Sequence, residues 1–145
     1  MSPKSGQDFT FSTIAAEEGL KKAETLFRCF GRTERLPESQ INAFTSLCGS
    51  SPAWIFMAIE ALADGAVLQG IPRDKAYPMA AQAVLGSAKM VLETGEHPAV
   101  LKDRVCSPGG TTIEAVASLE RDGFRSSLIQ AVEICTEKAD RLSGD

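Results

Sequence analysis

Apolar residues recur at helical spacing along most of this chain, and glycines and prolines cut the pattern into segments. Ile14, Ala15, Leu20, Ala23, Leu26, Phe27 and Phe30 form a first stripe, with Thr13 placed to cap it and Gly31 to stop it. Arg32–Leu36 is polar and β-tolerant; with a short piece at Phe9–Phe11 it is the only stretch that reads as extended. Pro37 opens a short helix through about Phe44, and Ser51-Pro52 reads as a fresh start, serine as cap and proline at the first helical position. From Pro52 to about Leu68, the residues Trp54, Ile55, Phe56, Met57, Ile59, Leu62 and Val67 leave almost no polar face. Such a helix is expected to be buried, here by more than its own chain. Gly70 ends it, and Pro72 opens another that runs to about Thr94 and stops at Gly95. This one is rich in Ala and Gly, Gly86 and Ser87 included, so neighbouring helices can approach closely. Pro78 falls within its first two turns and is expected to disturb or kink it. Pro98–Val105, Ile113–Asp122 and Phe124 to about Leu142 complete the series, the last with Leu128, Ile129, Val132 and Cys135 on one face. The expected fold is all-α, one helical domain over 14–145 behind a flexible lead-in at 1–13.

Composition narrows this further. A length of 145 residues, 43% hydrophobic and 23% charged, fits a single globular domain with a core. A net charge of −4 argues against nucleic acid, which needs a basic face. Glu60 and Asp64 interrupt the longest apolar run, so no membrane span is expected. No apolar core follows Lys4, so neither is a secretory signal. The four cysteines lie far apart without a CxxC, and there is one histidine. Reduced thiols, no zinc or other metal site and a cytoplasmic location are the expectations. None of the twelve glycines makes GxGxxG, and no GxxxxGK[ST] occurs, so this stretch is expected to hold no dinucleotide by itself.

The candidate chemistry sits in the loop Cys106-Ser107-Pro108-Gly109-Gly110-Thr111-Thr112 between two apolar-periodic segments. Pro108 cannot continue a helix, and the paired glycines open backbone angles closed to other residues. Thr111 or Thr112 can cap the helix that follows. Bare N–H groups and three hydroxyls at the positive end of a helix dipole form a receptor for a carboxylate or phosphate. The plainer alternative is a helix junction, with Gly-Gly ending one helix and threonine starting the next.

The run from Pro98 through Leu101, Val105-Cys106-Ser107, Gly109-Gly110, Thr112, Ala115-Val116 and Leu119-Glu120 resembles the signature of pyrroline-5-carboxylate reductase. The resemblance extends to CGSSPAW at Cys48–Trp54, to IEALADGAVLQGIPRDKAY, to AAQAVLGSAKMVLETGEHP and to GFRSSLIQAVE, and covers about Ala23 to Lys138. It implies the helical bundle half of such an enzyme, interlocked in a homodimer or a higher assembly of dimers. The dinucleotide-binding half would precede it, so this chain would begin near the junction. The implied activity is reduction of pyrroline-5-carboxylate, a cyclic imine with a carboxylate, to proline by hydride from NADPH or NADH. The resemblance implies that Ser107, Gly109, Gly110 and Thr111 hold the substrate carboxylate, with Thr112 near the imine nitrogen as the one catalytic candidate. It also implies that the chain alone binds no cofactor and is inactive.

Other residues are weighed against this. His97, just before Pro98, fits a helix cap better than chemistry. Cys106 has no second histidine to activate it and reads as an idle thiol. Glu60 and Asp64, four residues apart within an apolar run, fit a polar contact at a subunit interface. Trp54 stands where relatives usually carry tyrosine, and indole can donate but not accept. Glu17, Glu18, Lys21 and Lys22 form a solvated helix face. An alternative of a different class remains: a free-standing α-helical assembly module that keeps the loop as a relic or as a small-carboxylate binder.

Overall fold

A computed structural model describes residues 17–144. The expected lead-in at 1–13, the Thr13 cap and the positions Ile14 and Ala15 lie outside the described residues. The regular elements among them are helical: α1 (Glu17–Phe27), α2 (Ile41–Phe44), α3 (Ser51–Leu68), α4 (Arg73–Thr94), α5 (Pro98–Val105), α6 (Thr111–Arg121) and α7 (Phe124–Ser143). They fall into two compact units, one of residues 17–52 with 130–144, the other of Ala53–Ile129.

In the first unit, α1 stops at Phe27, and a three-residue turn carries the chain to Gly31. The β-tolerant stretch Arg32–Leu36 is not a strand, and no strand occurs among the described residues to pair with it. Its Arg35 reaches back to α1 instead, donating to Glu24 and, at 3.0 Å, to Glu17. Hydrogen bonds donated to these carboxylates raise the pKa of Arg35, and the same guanidinium holds that of Glu24 below the usual carboxylate range. Arg35 and Glu17 are exposed and Glu24 is half-buried, so the network orders the turn more than it stabilises the fold.

A 3₁₀ turn at Glu38–Gln40 leads into α2, and a π-helical stretch at Thr45–Ser50 joins α2 to α3 without a break. The expected fresh start at Ser51-Pro52 is therefore corrected: Ser51 has helical angles (φ −59, ψ −25) and caps nothing. Pro52 has no N–H for the carbonyl four residues back, and its ring crowds that carbonyl. The wide turn just upstream relieves this without ending the helix. Ser46 in this stretch is fully buried and donates to the Asn42 carbonyl at 3.0 Å. Ser46 and Ser50 also hydrogen-bond Cys135 on α7, lowering its thiol pKa against the opposing effect of burial. Asn42 Nδ2 donates to Asp140 Oδ1 at 2.7 Å and to Ser143 Oγ at 3.1 Å, tying α2 to the end of α7.

The helical run Glu38–Leu68 is 31 residues long with a mean hydropathy of 1.3 over its most apolar stretch, enough to cross a membrane by length and composition. That corrects the expectation from sequence, since Glu60 and Asp64 do not break the run: their neighbours are apolar enough to carry the mean. A soluble helix covered by another surface passes the same test.

In the second unit the buried core is three alanines, Ala63 of α3 and Ala76 and Ala80 of α4, with Ile59, Ala66 and Val67 half-buried around them. Small side chains let the two helices meet closely. Asp64 pairs with Arg73, which also lies 5.5 Å from the centre of the Tyr77 ring. Asp64, expected to make a polar contact rather than to do acid–base work, has such a contact with Arg73 of its own chain. α4 is helical through Pro78 to Thr94, so the disturbance expected there does not end it. Only one helical bond is lost there, and the unmatched Asp74 carbonyl belongs to an exposed residue that water can reach. Gly95, at φ +66, closes the helix with its N–H on the Val91 carbonyl.

Candidate functional site

The loop expected to carry chemistry lies wholly in the second unit, between α5 and α6. Upstream, His97 Nδ1 accepts the Ala99 N–H at 3.2 Å, and Pro98 occupies the first turn. His97 is the cap of α5, as its sequence context indicates. That bond needs an unprotonated Nδ1. At the far end the Cys106 N–H closes on the Asp103 carbonyl at 3.1 Å, and the chain leaves the helix.

Ser107 to Gly110 then form one tight turn. The Gly110 N–H donates to the Ser107 carbonyl at 3.0 Å, Pro108 takes the second position, and Gly109 takes the third at φ +66. Proline followed by a residue of positive φ defines a type II turn. Gly110, at φ −81 and ψ 166, is extended and is the N-cap of α6. The expectation that Thr111 or Thr112 caps the helix is therefore corrected: they are its first two residues, and no side chain caps it. Their N–H groups have no helical carbonyl within reach, as at any helix start. A Cβ on Gly110 would stand 2.3 Å from Ser107 Oγ and 3.1 Å from the Ser107 carbonyl oxygen. Gly110 is thus needed for space, and Gly109 for its backbone angle.

Ser107, Gly109 and Thr111 are exposed, while Gly110 and Thr112 are half-buried. The six residues Ser107–Thr112 therefore come together, as contiguity demands, at the start of an eleven-residue helix. Cys106, immediately before them, is a half-buried free thiol. Among the described residues no group of three His, Cys, Asp or Glu side chains is placed to hold a metal ion. The same residues offer no strand–glycine turn–helix of the kind that holds a dinucleotide. The bond from Gly110 to Ser107 and the cap role of Gly110 were missed from sequence. The signal for the turn was there in Pro108-Gly109.

An all-helical chain with little core of its own and a proline–glycine turn at a helix start has the character of an assembly domain. Residues 38–142 match the family described as pyrroline-5-carboxylate reductase dimerisation. The chain belongs to that family. The pyrroline-5-carboxylate reductase of Escherichia coli K12 is 56% identical over 134 residues, covering 92% of this chain and 50% of that protein. That of Methanosarcina acetivorans is 51% identical over 128 residues, covering 88% and 47%. The solved structure of the Coxiella burnetii pyrroline-5-carboxylate reductase matches with a TM-score of 0.87 at 33% identity, covering 93% of this chain and 50% of that one. The Plasmodium falciparum pyrroline carboxylate reductase, solved with NADP bound, matches with a TM-score of 0.82 at 28% identity over 92% of this chain and 55% of that one. The chain spans about half the length of the curated relatives it matches.

Proposed function

We propose that this chain is the dimerising and substrate-binding half of an NAD(P)H-dependent pyrroline-5-carboxylate reductase, an enzyme of proline biosynthesis in the cytoplasm. The observation that carries this is the type II turn Ser107–Gly110 set at the start of α6, within the stretch that matches the family. The unpaired N–H groups of Thr111 and Thr112, with the helix dipole behind them, receive the substrate carboxylate, helped by the hydroxyls of Ser107 and Thr111. The two glycines let the backbone come close to it. Thr112 stands nearest the imine nitrogen, which it orients and to which it passes a proton directly or through a water. The hydride that the reaction needs would come from a nicotinamide held outside this chain, whose own residues orient the imine and deliver the proton to its nitrogen. The chain's own contribution is orientation and stabilisation of charge.

Two copies of the chain form the working unit, and residues 1–145 alone turn over no substrate. The test is a chimera that joins them to the dinucleotide-binding domain of a relative, assayed for proline formation. Turnover by the chimera, none by the chain alone, and no saturable NADPH binding to the chain by calorimetry are the expected results. A chimera that assembles and binds NADPH yet makes no proline would leave the loop a helix junction and the chain an assembly module.

A further inference from the structure

We infer, on the reading above that the Ser107–Gly110 turn receives the substrate carboxylate, that Glu96 and Arg104 are its positioning residues. Together they clamp the two ends of α5, the helix that carries the turn. α5 is eight residues long, well short of the length at which a helix stands without tertiary support. Its start is held by the His97 cap. Its end is not held by packing: Val105, the last residue, is 65% exposed, and the chain leaves a groove of about 590 Å³ open between α4 and α5.

What reaches that end is a charge pair. Arg104 Nη1 donates to Glu96 Oε1 at 2.8 Å, and Arg104 Nη2 lies 2.7 Å from Glu96 Oε2, a two-pronged contact. It spans the whole of α5, from the residue before the cap to the residue before the last. The Glu96 end is anchored in turn, because its N–H donates to Thr94 Oγ1 at 3.2 Å and that hydroxyl donates to the Met90 carbonyl of α4 at 2.8 Å. The other charged residues of α5, Lys102 and Asp103, pair with each other, so Arg104 is the one that ties the helix to a group outside it. Arg104 is exposed and Glu96 half-buried, so water and salt screen the pair and it adds little to stability. A planar fork fixes direction, which a point charge does not. Ser107 follows Arg104 by three residues and its carbonyl accepts the Gly110 N–H, so a tilt in the last turn of α5 carries the type II turn with it. Loss of the clamp is therefore felt in how the carboxylate is received, not in whether the chain folds.

Three variants test the clamp, each made in the whole chain and in the chimera. Arg104→Lys keeps the charge and removes the fork, Glu96→Gln removes the charge at constant size, and Glu96→Arg with Arg104→Glu reverses the pair. In the chain, hydrogen exchange at the Cys106 and Gly110 amides should quicken at least about fivefold in both single variants, with the unfolding temperature within about 2 °C of the parent. In the chimera, KM for pyrroline-5-carboxylate should rise at least about fivefold while kcat changes less than about twofold, and the reversed pair should recover most of the loss. Exchange and KM unchanged in the single variants, or Arg104→Lys behaving as the parent, overturns the clamp. So does a rise in KM matched by a fall in unfolding temperature, which would make the pair a structural one. A parent chimera without turnover counts against the substrate reading instead, and exchange at Cys106 and Gly110 then decides the clamp alone.

Discussion

Gly109 and Gly110 stand side by side for two different physical reasons, and substitution tells them apart. Gly109 needs its left-handed backbone angle, so Gly109→Ala should cost about 1–2 kcal/mol whatever surrounds it. Gly110 has an ordinary φ and needs space beside Ser107. Gly110→Ala should cost about 1–3 kcal/mol by overpacking, and adding Ser107→Ala should recover part of it by removing the hydroxyl in the way. Thermal unfolding of the single and double variants checks this; no recovery in the pair would mean that the carbonyl contact alone limits the fit. Thr112 gives the complementary case. It is not the cap of α6, so Thr112→Ala should change stability by less than about 0.5 kcal/mol. In the chimera it should lower turnover at least about tenfold with little change in unfolding temperature. Equal losses of stability and rate would return the residue to a structural role.

Among the elements, α4 and α5 make the sharpest claims. Pro78→Ala gives the Asp74 carbonyl a partner and removes a ring from the helix interior, and should stabilise the chain by about 1–2 kcal/mol. His97→Ala should cost about 1 kcal/mol and His97→Asn less, because asparagine keeps an acceptor for the Ala99 N–H. Both are read by thermal unfolding at fixed protein concentration. The element boundaries that sequence predicted well are those set by a local cause: Gly70, Gly95, Pro98 and Gly123 act on their own backbone whatever the rest of the chain does. The π-helical stretch was not legible. It answers two demands at once, the ring of Pro52 and the contacts of Ser46 and Ser50 with Cys135, a residue far away in sequence. Arg32–Leu36 misled because β-tolerance says nothing about whether a neighbouring strand exists. At the candidate site, the grouping of residues was legible from the motif itself. The identity of the cap was not, because it depends on which residue leaves the turn in extended form.

At the scale of the whole molecule, the decisive feature is how few side chains are fully covered. A core of three alanines in the second unit contrasts with exposed Phe56, Met57, Leu62 and Leu68 on the same helix that contributes Ala63. One chain has not buried what its sequence offers, and burial is the main source of folding free energy. The dimer should therefore bury more than about 2,000 Å² in total. Its unfolding temperature should rise with protein concentration, because folding and association are then one equilibrium. Unfolding scans over a hundredfold range of concentration check this, and a midpoint that does not move would show a chain stable by itself.

The Asn42 side chain meets Asp140 and Ser143, partners 98 and 101 residues further along. The first unit is thus written in two instalments, with the whole of the second unit between them. On the ribosome, Ala53–Ile129 emerges complete while residues 17–52 still wait for their counterpart, so the order of synthesis sets an order of folding. A chain halted after Lys138 would keep every residue of the Ser107–Thr112 turn and lose the clasp at Asn42. Such a nascent or truncated product should be cut by protease between residues 28 and 52 well before the second unit is touched.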